Sequence, residues 1–198
     1  RVIAKSFWYP CAFETGQLTM CTVVILRRPD HAWPVLLGAN RDEMLTRPWK
    51  PPARHWPDRS DVVAGIDLQA GGTWLAVNDD GVLAAVMNRE HSLGAALDKR
   101  SRGELPLEAL DHADASAAAD ALAALDPSAY RPFNMLIADN RNAYWLCNNA
   151  AAKRIKLMPL AQGWSMLTSQ RLNDPNCPRI AEYLPQFERA PIPDPEHD

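Results

Sequence analysis

The chain has 198 residues, of which 47% are hydrophobic and 23% charged, and its net charge at pH 7 is −3. This composition indicates one well-buried globular domain, and the length does not require a second. The slightly negative charge gives no reason to expect a nucleic-acid partner. No apolar run approaches the roughly 18 residues that a membrane span needs, so we expect no membrane-spanning segment.

Cysteine and histidine spacing argues against a metal site. The four cysteines include no Cys-x-x-Cys pair, and the histidines show no ligand spacing, so we predict no metal, no cofactor motif and no disulfide framework. This cysteine usage predicts a reducing compartment, the cytoplasm. The residues in question are the four cysteines and three of the five histidines: Cys11, Cys21, Cys147, Cys177, His31, His55 and His91.

Strand patterns dominate the first half of the chain. They cover residues 21–26, 33–39, 62–64, 73–77 and 82–87, and the last two are joined by a hairpin turn ending at Gly81. Residues 46–60 are rich in proline, so we expect a long irregular surface segment there.

The second half begins with a predicted helix over 105–125 and ends with a second helix that starts near Asn176, its expected N-cap residue. Pro185 is expected to end or distort this second helix. Strands are predicted between them at 133–138, 143–146, 154–157 and 164–167. Strands in hairpins with two segregated helices predict an α+β domain with mainly antiparallel sheets.

Cys21 is the first candidate for chemistry because it follows Met20 and opens a strand. If Met20 is the start and is removed, Cys21 carries both a thiol and a free α-amino group. That amine, with a pKa near ~8, can act as the general base for its own thiol. One residue would then supply a nucleophile and its base.

Polar residues follow three of the predicted strands. Residues 40–43 (Asn-Arg-Asp-Glu) come after one strand, Asn88 ends another, and Ser169 lies at a third. Such residues form solvated turns, but a carboxylate can also hold an amine, and an arginine can lower a thiol pKa or bind an anion. An asparagine amide can donate to an oxyanion.

Several segments together resemble the NRDE family, the family of the transport-and-Golgi-organisation proteins. Ala-Asn-Arg-Asp-Glu at 39–43 is similar to the family signature, and the similarity covers essentially residues 20–187. It implies an upstream extension at 1–19 that is disordered or not native, and a single domain at 20–198. The proline-rich end at 190–195 is typical of a loop that leads further, so we also expect the C-terminus to be truncated. The other similar segments are 20–25, 47–49, 70–74, 99–103, 131–134 and 172–175.

The order of elements is also similar to the choloylglycine and penicillin V hydrolases, which are N-terminal-nucleophile (Ntn) hydrolases. This resemblance implies a four-layer αββα sandwich with Cys21 as nucleophile, Asp42 orienting its amine and Asn88 donating to the oxyanion. Asn40 matches the same motif. Two positions depart from it, since Ala39 stands where the hydrolases have arginine and Ser169 where they have asparagine.

The resemblances leave two main hypotheses. In the first, an Ntn hydrolase or acyltransferase cleaves an amide or thioester, with Arg41 positioning the nucleophile or an acyl anion and with Ser169, Trp49 and Trp74 lining the substrate cleft. In the second, the same fold binds and carries haem, a lipid or acyl-CoA without catalysis. A purely structural or interaction role is a third alternative. Neither substrate nor oligomeric state follows from the sequence.

Overall fold

The computed structural model describes residues 2–7, 21–44, 46–149 and 151–196, which contain eleven strands, three α-helices and two short 3-10 helices joined by loops. Met20, the predicted start, lies outside these residues, as does Cys11. The strands are β1 (Val2–Phe7), β2 (Thr22–Arg27), β3 (Val35–Asn40), β4 (Trp49–Ala53), β5 (Val62–Asp67), β6 (Leu75–Asn78), β7 (Leu83–Asn88), β8 (Phe133–Ala138), β9 (Ala143–Asn148), β10 (Lys156–Pro159) and β11 (Gly163–Leu167). The helices are α1 (Leu105–Ala109), α2 (Ala115–Ala123) and α3 (Pro178–Arg189).

The strands form two sheets. The seven-stranded sheet has the order β10-β9-β8-β7-β6-β5-β4 and is antiparallel throughout, whereas the four-stranded sheet has the order β1-β3-β2-β11 and contains one parallel pair, β1 with β3. Helices α1 and α2 pack on the seven-stranded sheet, and α3 packs on β11 of the other sheet. The predicted α+β fold, a four-layer αββα sandwich, is confirmed.

Strand alternation assigns each side chain to one of these layers. In β7, Leu83, Ala85 and Met87 join the core between the two sheets, whereas Ala84 and Val86 join the core under α1 and α2. The inter-sheet core also contains side chains of β2 and β3. Whether a strand-end residue faces this core therefore decides whether it can reach a site between the sheets.

The expectation of an irregular segment at 46–60 is wrong in part, because Trp49–Ala53 form β4 at the edge of the seven-stranded sheet. Proline lacks the N–H that an inner strand needs, but an edge strand has one side unpaired. The register with β5 shifts between Lys50 and Ala53, the stretch that contains Pro51 and Pro52.

The helix predicted over 105–125 is interrupted, because α1 ends at Ala109 and α2 begins at Ala115. Asp114 explains the interruption: its side chain accepts a hydrogen bond from the Ala117 N–H at 2.8 Å and so caps a new helix. No helix among the described residues is both long and apolar enough to cross a bilayer.

Helix α3 also differs from its prediction. It begins at Pro178 with Cys177 as the N-cap residue instead of Asn176, and Pro185 lies within it. Packing on both sides of Pro185 accounts for its tolerance. Ile180 is buried before it, and Phe187 lies 5.4 Å from Trp164 after it, measured between ring centroids.

Residues upstream of Met20 contribute β1, which runs parallel to β3 with Val2 opposite Val35 and Phe7 opposite Asn40. The expected disorder therefore does not hold for Val2–Phe7. Without β1, the outer edge of β3 would present unpaired backbone groups, which readily bind a further strand. The rest of the extension lies outside the described residues, and its native status stays a prediction.

Two glycine segments that the sequence singled out contact each other. Thr73 N donates to Gly103 O at 2.9 Å, and a Cβ added to Gly72 would lie 2.5 Å from that same oxygen. Backbone cannot move aside as a flexible side chain can. We therefore expect Gly72→Ala to lower the free energy of unfolding by about 1–3 kcal/mol, measured by urea denaturation.

Gly38→Ala is the matched control, because its Cβ would meet only Val24 Cγ1, at 3.3 Å. That side chain can give way by a few tenths of an ångström, so we expect a smaller loss. A Gly72→Ala protein that unfolds at the same urea concentration as the wild type would contradict the close contact.

Candidate active site

Cys21 lies where β2 begins and β3 ends, since Thr22 is paired with Asn40. The residue is half-buried and packs against the inter-sheet core. Its Sγ is 3.7 Å from the main-chain oxygen of Asp42, to which it donates. The structure thus brings together the predicted nucleophile and the polar segment at 40–43.

Burial raises the pKa of the Cys21 thiol above its ordinary value. The hydrogen bond to the Asp42 main chain and the charge of Arg41 act to lower this pKa, whereas the charges of Asp42 and Glu43 act to raise it. The thiol is therefore protonated at neutral pH, and Arg41 alone does not activate it. Attack by this sulfur requires a general base.

Arg41 is held by acidic and aromatic partners. Its Nη2 lies 3.2 Å from Asp67 Oδ2 and 3.5 Å from Glu43 Oε2, and its Cζ lies 4.3 Å from the centroid of the Trp74 ring. Only 7% of the side chain is exposed. Because two carboxylates compensate its charge, Arg41 does little to stabilise a thiolate at Cys21.

Asp67 is a residue that the sequence analysis missed. Its carboxylate accepts from Arg47 Nε at 2.5 Å and from the main-chain N–H groups of Gln69 and Ala70, besides Arg41. Burial acts to raise the pKa of Asp67, but the hydrogen bonds from Arg47 and from the two N–H groups outweigh it, so the pKa is lowered. The predicted strand ended at residue 64, three residues before Asp67, so the prediction did not mark this carboxylate as a strand end; the observed strand β5 does end there.

The Asp42 carboxylate lies on the face of the four-stranded sheet that carries α3, opposite the inter-sheet face. Its Oδ1 accepts from Asn40 Nδ2 at 2.7 Å and its Oδ2 from Arg179 Nη1 at 3.4 Å. The same Nη1 donates to Thr22 Oγ1 at 3.0 Å. Asn40 and Asp42 thus come together as predicted, whereas no local pattern pointed to Arg179, which lies 137 residues further along the chain.

The two predicted cleft tryptophans lie together. The rings of Trp49 and Trp74 meet edge to face with centroids 6.0 Å apart, and Arg41 stacks on Trp74. Gly65 makes room for Trp74, since a Cβ there would lie 2.7 Å from its ring. Substrate contact by these tryptophans stays a prediction.

Asn88 is not brought to the face that carries Cys21. It pairs with Phe133, whose side chain belongs to the core under the helices, so alternation directs Asn88 the same way. Its oxyanion role stays a prediction, which this geometry disfavours. Continuing the two-residue alternation of Leu83, Ala85 and Met87 beyond the end of β7 places the next residue, Arg89, on the inter-sheet side instead.

Arg89 joins the strand ends on the inter-sheet side. Its Nη1 donates to Asn134 Oδ1 at 2.7 Å, to Gln170 O at 3.3 Å and to Cys147 Sγ at 3.4 Å. Ser169 lies at this junction, where its main-chain oxygen accepts from the Glu90 N–H at 3.3 Å. The third predicted strand end is therefore close to β7, and the role of Ser169 in substrate binding stays a prediction.

Comparisons with known proteins agree with both resemblances. The human transport and Golgi organization protein 2 homolog is 34% identical over 114 residues, which cover 55% of this chain and 40% of that protein. The chain spans no more than 40% of the length of the curated relatives it matches.

Solved structures with a similar fold include a Caenorhabditis elegans N-acylethanolamine-hydrolyzing acid amidase ortholog, with a TM-score of 0.55, 16% identity and coverage of 74% of this chain and 69% of that chain. A mutant form of a conjugated bile acid hydrolase from Clostridium perfringens has a TM-score of 0.38 and 10% identity over 76% of this chain and 46% of that chain. The first similarity shows the fold, that of Ntn hydrolases.

The family follows from a match along most of the chain. The family model described as Transport and Golgi organisation 2 matches residues 20–191, from the residue before Cys21 to a point beyond α3. The chain therefore belongs to the Transport and Golgi organisation 2 family.

Proposed function

We propose that this protein is a cysteine hydrolase or acyltransferase of the Ntn type, acting on an amide or thioester bond through Cys21. The observation that carries the proposal is the position of the thiol. It lies half-buried at the start of β2, at the inter-sheet core, beside the main chain of Asp42. The family match that begins one residue before Cys21 supports a mature chain starting there.

The raised pKa of the Cys21 thiol determines what the mechanism needs. A free α-amine on Cys21 takes the thiol proton while the sulfur attacks the carbonyl carbon. The resulting ammonium then returns a proton to the leaving amine or thiol as its bond to the acyl group breaks. Water or a second acceptor takes the acyl group from sulfur. The Asp42 carboxylate favours the ammonium form by its negative charge.

The residues around Arg41 favour an acyl substrate. Met44 and Leu68 are 71% and 47% exposed; Met44 lies in the loop that carries Arg41 and Arg47, and Leu68 directly follows Asp67, which binds both arginines. Exposed apolar side chains beside cations suit a ligand with an apolar chain and a polar or anionic head. Because the enzyme of similar fold hydrolyses N-acylethanolamines, long-chain N-acyl amides are the first probes to use.

The α-amine is tested by comparing a chain that begins at Cys21 with one that carries a single alanine before it. We expect the first to hydrolyse an N-acyl-aminocoumarin or an acyl-CoA, and the second to do so about 10²–10⁴-fold more slowly, because its general base is lost. Thermal unfolding of both forms checks their integrity. Equal rates, or no hydrolysis by the form with Cys21 at its terminus, would overturn the proposal.

A second candidate function is binding of haem, a lipid or acyl-CoA without hydrolysis. It is favoured by the same exposed apolar residues and by the two carboxylates that compensate Arg41, because they weaken the effect of this cation on the thiol. Acyl-CoA binding by Cys21→Ala at wild-type affinity, with no turnover by the wild type, would identify this function. For either function we propose a reducing compartment such as the cytoplasm, in keeping with free Cys21, Cys147 and Cys177.

A further inference from the structure

Arg179 connects helix α3 to the strand ends at Cys21. It lies in the first turn of α3, and its Nη1 donates both to Thr22 Oγ1 at 3.0 Å and to Asp42 Oδ2 at 3.4 Å. Thr22 follows Cys21 directly and is buried. One guanidinium therefore contacts both the residue after the proposed nucleophile and the acid assigned to orient it.

The packing of α3 fixes where this guanidinium lies. Cys177, the N-cap residue, and Ile180 in the first turn are buried together with Met166 of β11. The Cys177 Sγ is 3.6 Å from the Thr168 hydroxyl. Arg179 therefore extends from a helix end that is anchored on the sheet, and little conformational freedom is lost when it binds Asp42.

The charges on the two faces of the four-stranded sheet are paired separately. Arg41 is bound to Asp67 and Glu43 toward the inter-sheet side, whereas the Asp42 carboxylate, with only 6% of its side chain exposed, forms its ion pair with Arg179. Removing the cation from a buried ion pair costs free energy, because the carboxylate is left as an unpaired buried charge that tends to change position or protonation. The position of Asp42 therefore depends on Arg179 more than on Arg41.

We propose that Arg179 is a positioning residue for Cys21, holding the Asp42 carboxylate and the Thr22 hydroxyl in one arrangement. This inference rests on the proposed function of Cys21 but not on the identity of a substrate. Arg179 contacts Asp42 and Thr22 on the α3 side, whereas the Cys21 thiol packs at the inter-sheet core. It acts through these neighbours and not on the reacting carbonyl.

The thiol itself reports on this arrangement. Asp42 and Glu43 act against the thiolate, and Arg41 acts in its favour. Removing the cation that offsets Asp42 makes the local charge more negative, so the pKa of the Cys21 thiol should rise further. One unit of pKa is tenfold in the thiolate fraction below the midpoint, so we expect alkylation of Cys21 near pH 7 to slow by about three- to tenfold in Arg179→Gln.

The experiment measures iodoacetamide alkylation of the full chain across pH, resolved by peptide mass spectrometry. Arg179→Gln should shift the Cys21 midpoint upward, and Arg179→Lys, which keeps the charge, should stay near the wild type. Arg189→Gln removes an exposed charge from the last turn of the same helix and should have no effect. Buried Cys177 serves as an internal control, because its labelling reports on loosening of α3.

Two outcomes of the alkylation assay on Arg179→Gln would overturn the proposal. The first is an unchanged Cys21 midpoint in Arg179→Gln with Cys177 still protected. The second is an unchanged midpoint with Cys177 newly reactive, which would make Arg179 only an anchor for the helix. If Arg179→Gln does not fold, a wild-type midpoint combined with a wild-type kcat in Arg179→Met would count against the proposal equally.

Turnover is assayed separately, with the form that begins at Cys21 and an acyl-CoA as the probe. There Arg179→Gln should lower kcat and leave KM unchanged, because Arg179 does not contact substrate in the proposal. A raised KM with unchanged kcat would overturn the positioning role. Because the alkylation assay needs no substrate, a wild type without turnover overturns the proposed hydrolase and leaves the alkylation result to decide on Arg179.

Discussion

Replacing Cys21 with alanine is expected to slow hydrolysis by at least about 10³-fold, because it removes the atom that forms the covalent intermediate. The change should cost little stability, since the residue is half-buried and lies before the first residue of β2. The measurement is the initial rate with acyl-CoA and with an N-acyl-aminocoumarin, using the form that begins at this residue.

Cys147→Ala is the matched control. The Cys147 thiol is more deeply buried, and burial likewise raises its pKa. Cys147 lies on β9, where its sulfur accepts from Arg89, and it has no role in the proposed chemistry. We expect it to lower stability and to leave the rate constant close to wild type. Wild-type turnover by Cys21→Ala would rule out Cys21 as the nucleophile.

Asp67→Asn is expected to lower the free energy of unfolding by about 3 kcal/mol near pH 7, because an amide cannot pair with Arg41 and Arg47 as the carboxylate does. Arg41 is buried, so the loss of this partner leaves a charge that water does not solvate. The freed cation should also lower the pKa of the Cys21 thiol, so that Cys21 is alkylated faster than in the wild type.

The pH dependence of this effect follows from the lowered pKa of Asp67. A carboxyl group whose pKa is lower in the folded state stabilises the fold fully above its unfolded pKa, near ~3.9, and this contribution is lost as the pH falls through the folded value. The stability difference between wild type and Asp67→Asn should therefore be full at neutral pH and shrink below about pH 4.

Urea denaturation between acidic and neutral pH measures this difference. Asp79→Asn is the control, since Asp79 is an exposed acid paired with Arg54 and should change stability by less than about 1 kcal/mol. If the stability difference between wild type and Asp67→Asn is the same in acid as at neutral pH, the negative charge of Asp67 does not cause it.

Most of the strands were predictable because each is a short run of apolar residues that ends at a polar turn. The strand at Phe133–Ala138 is an example: it is buried throughout, a turn held by Asp139 follows it, and its predicted bounds are confirmed. The proline-containing strand β4 was not predictable from composition, because its tolerance for proline comes from its place at the sheet edge. The interruption between α1 and α2 depends on one capping hydrogen bond at Asp114.

The candidate site was predictable only where its residues are close in sequence. Asn40 and Asp42 are two positions apart at the end of β3, and the Asn40 side-chain amide donates a hydrogen bond to the Asp42 carboxylate. Asp67 and Arg179 reach the site through tertiary packing, 26 residues from Arg41 and 137 from Asp42, and no local pattern encodes those distances. Asn88 was favoured by resemblance, but the two-residue period of β7 directs it toward the helices.

Intact-mass spectrometry of the form that begins at Cys21, quenched soon after mixing with an acyl-CoA, tests the central claim most directly. A thioester intermediate predicts a mass increase of one acyl group that maps to the peptide containing Cys21, decays as product appears and is absent from Cys21→Ala. Product release with no adduct at Cys21, at a rate that Cys21→Ala shares, would contradict the account.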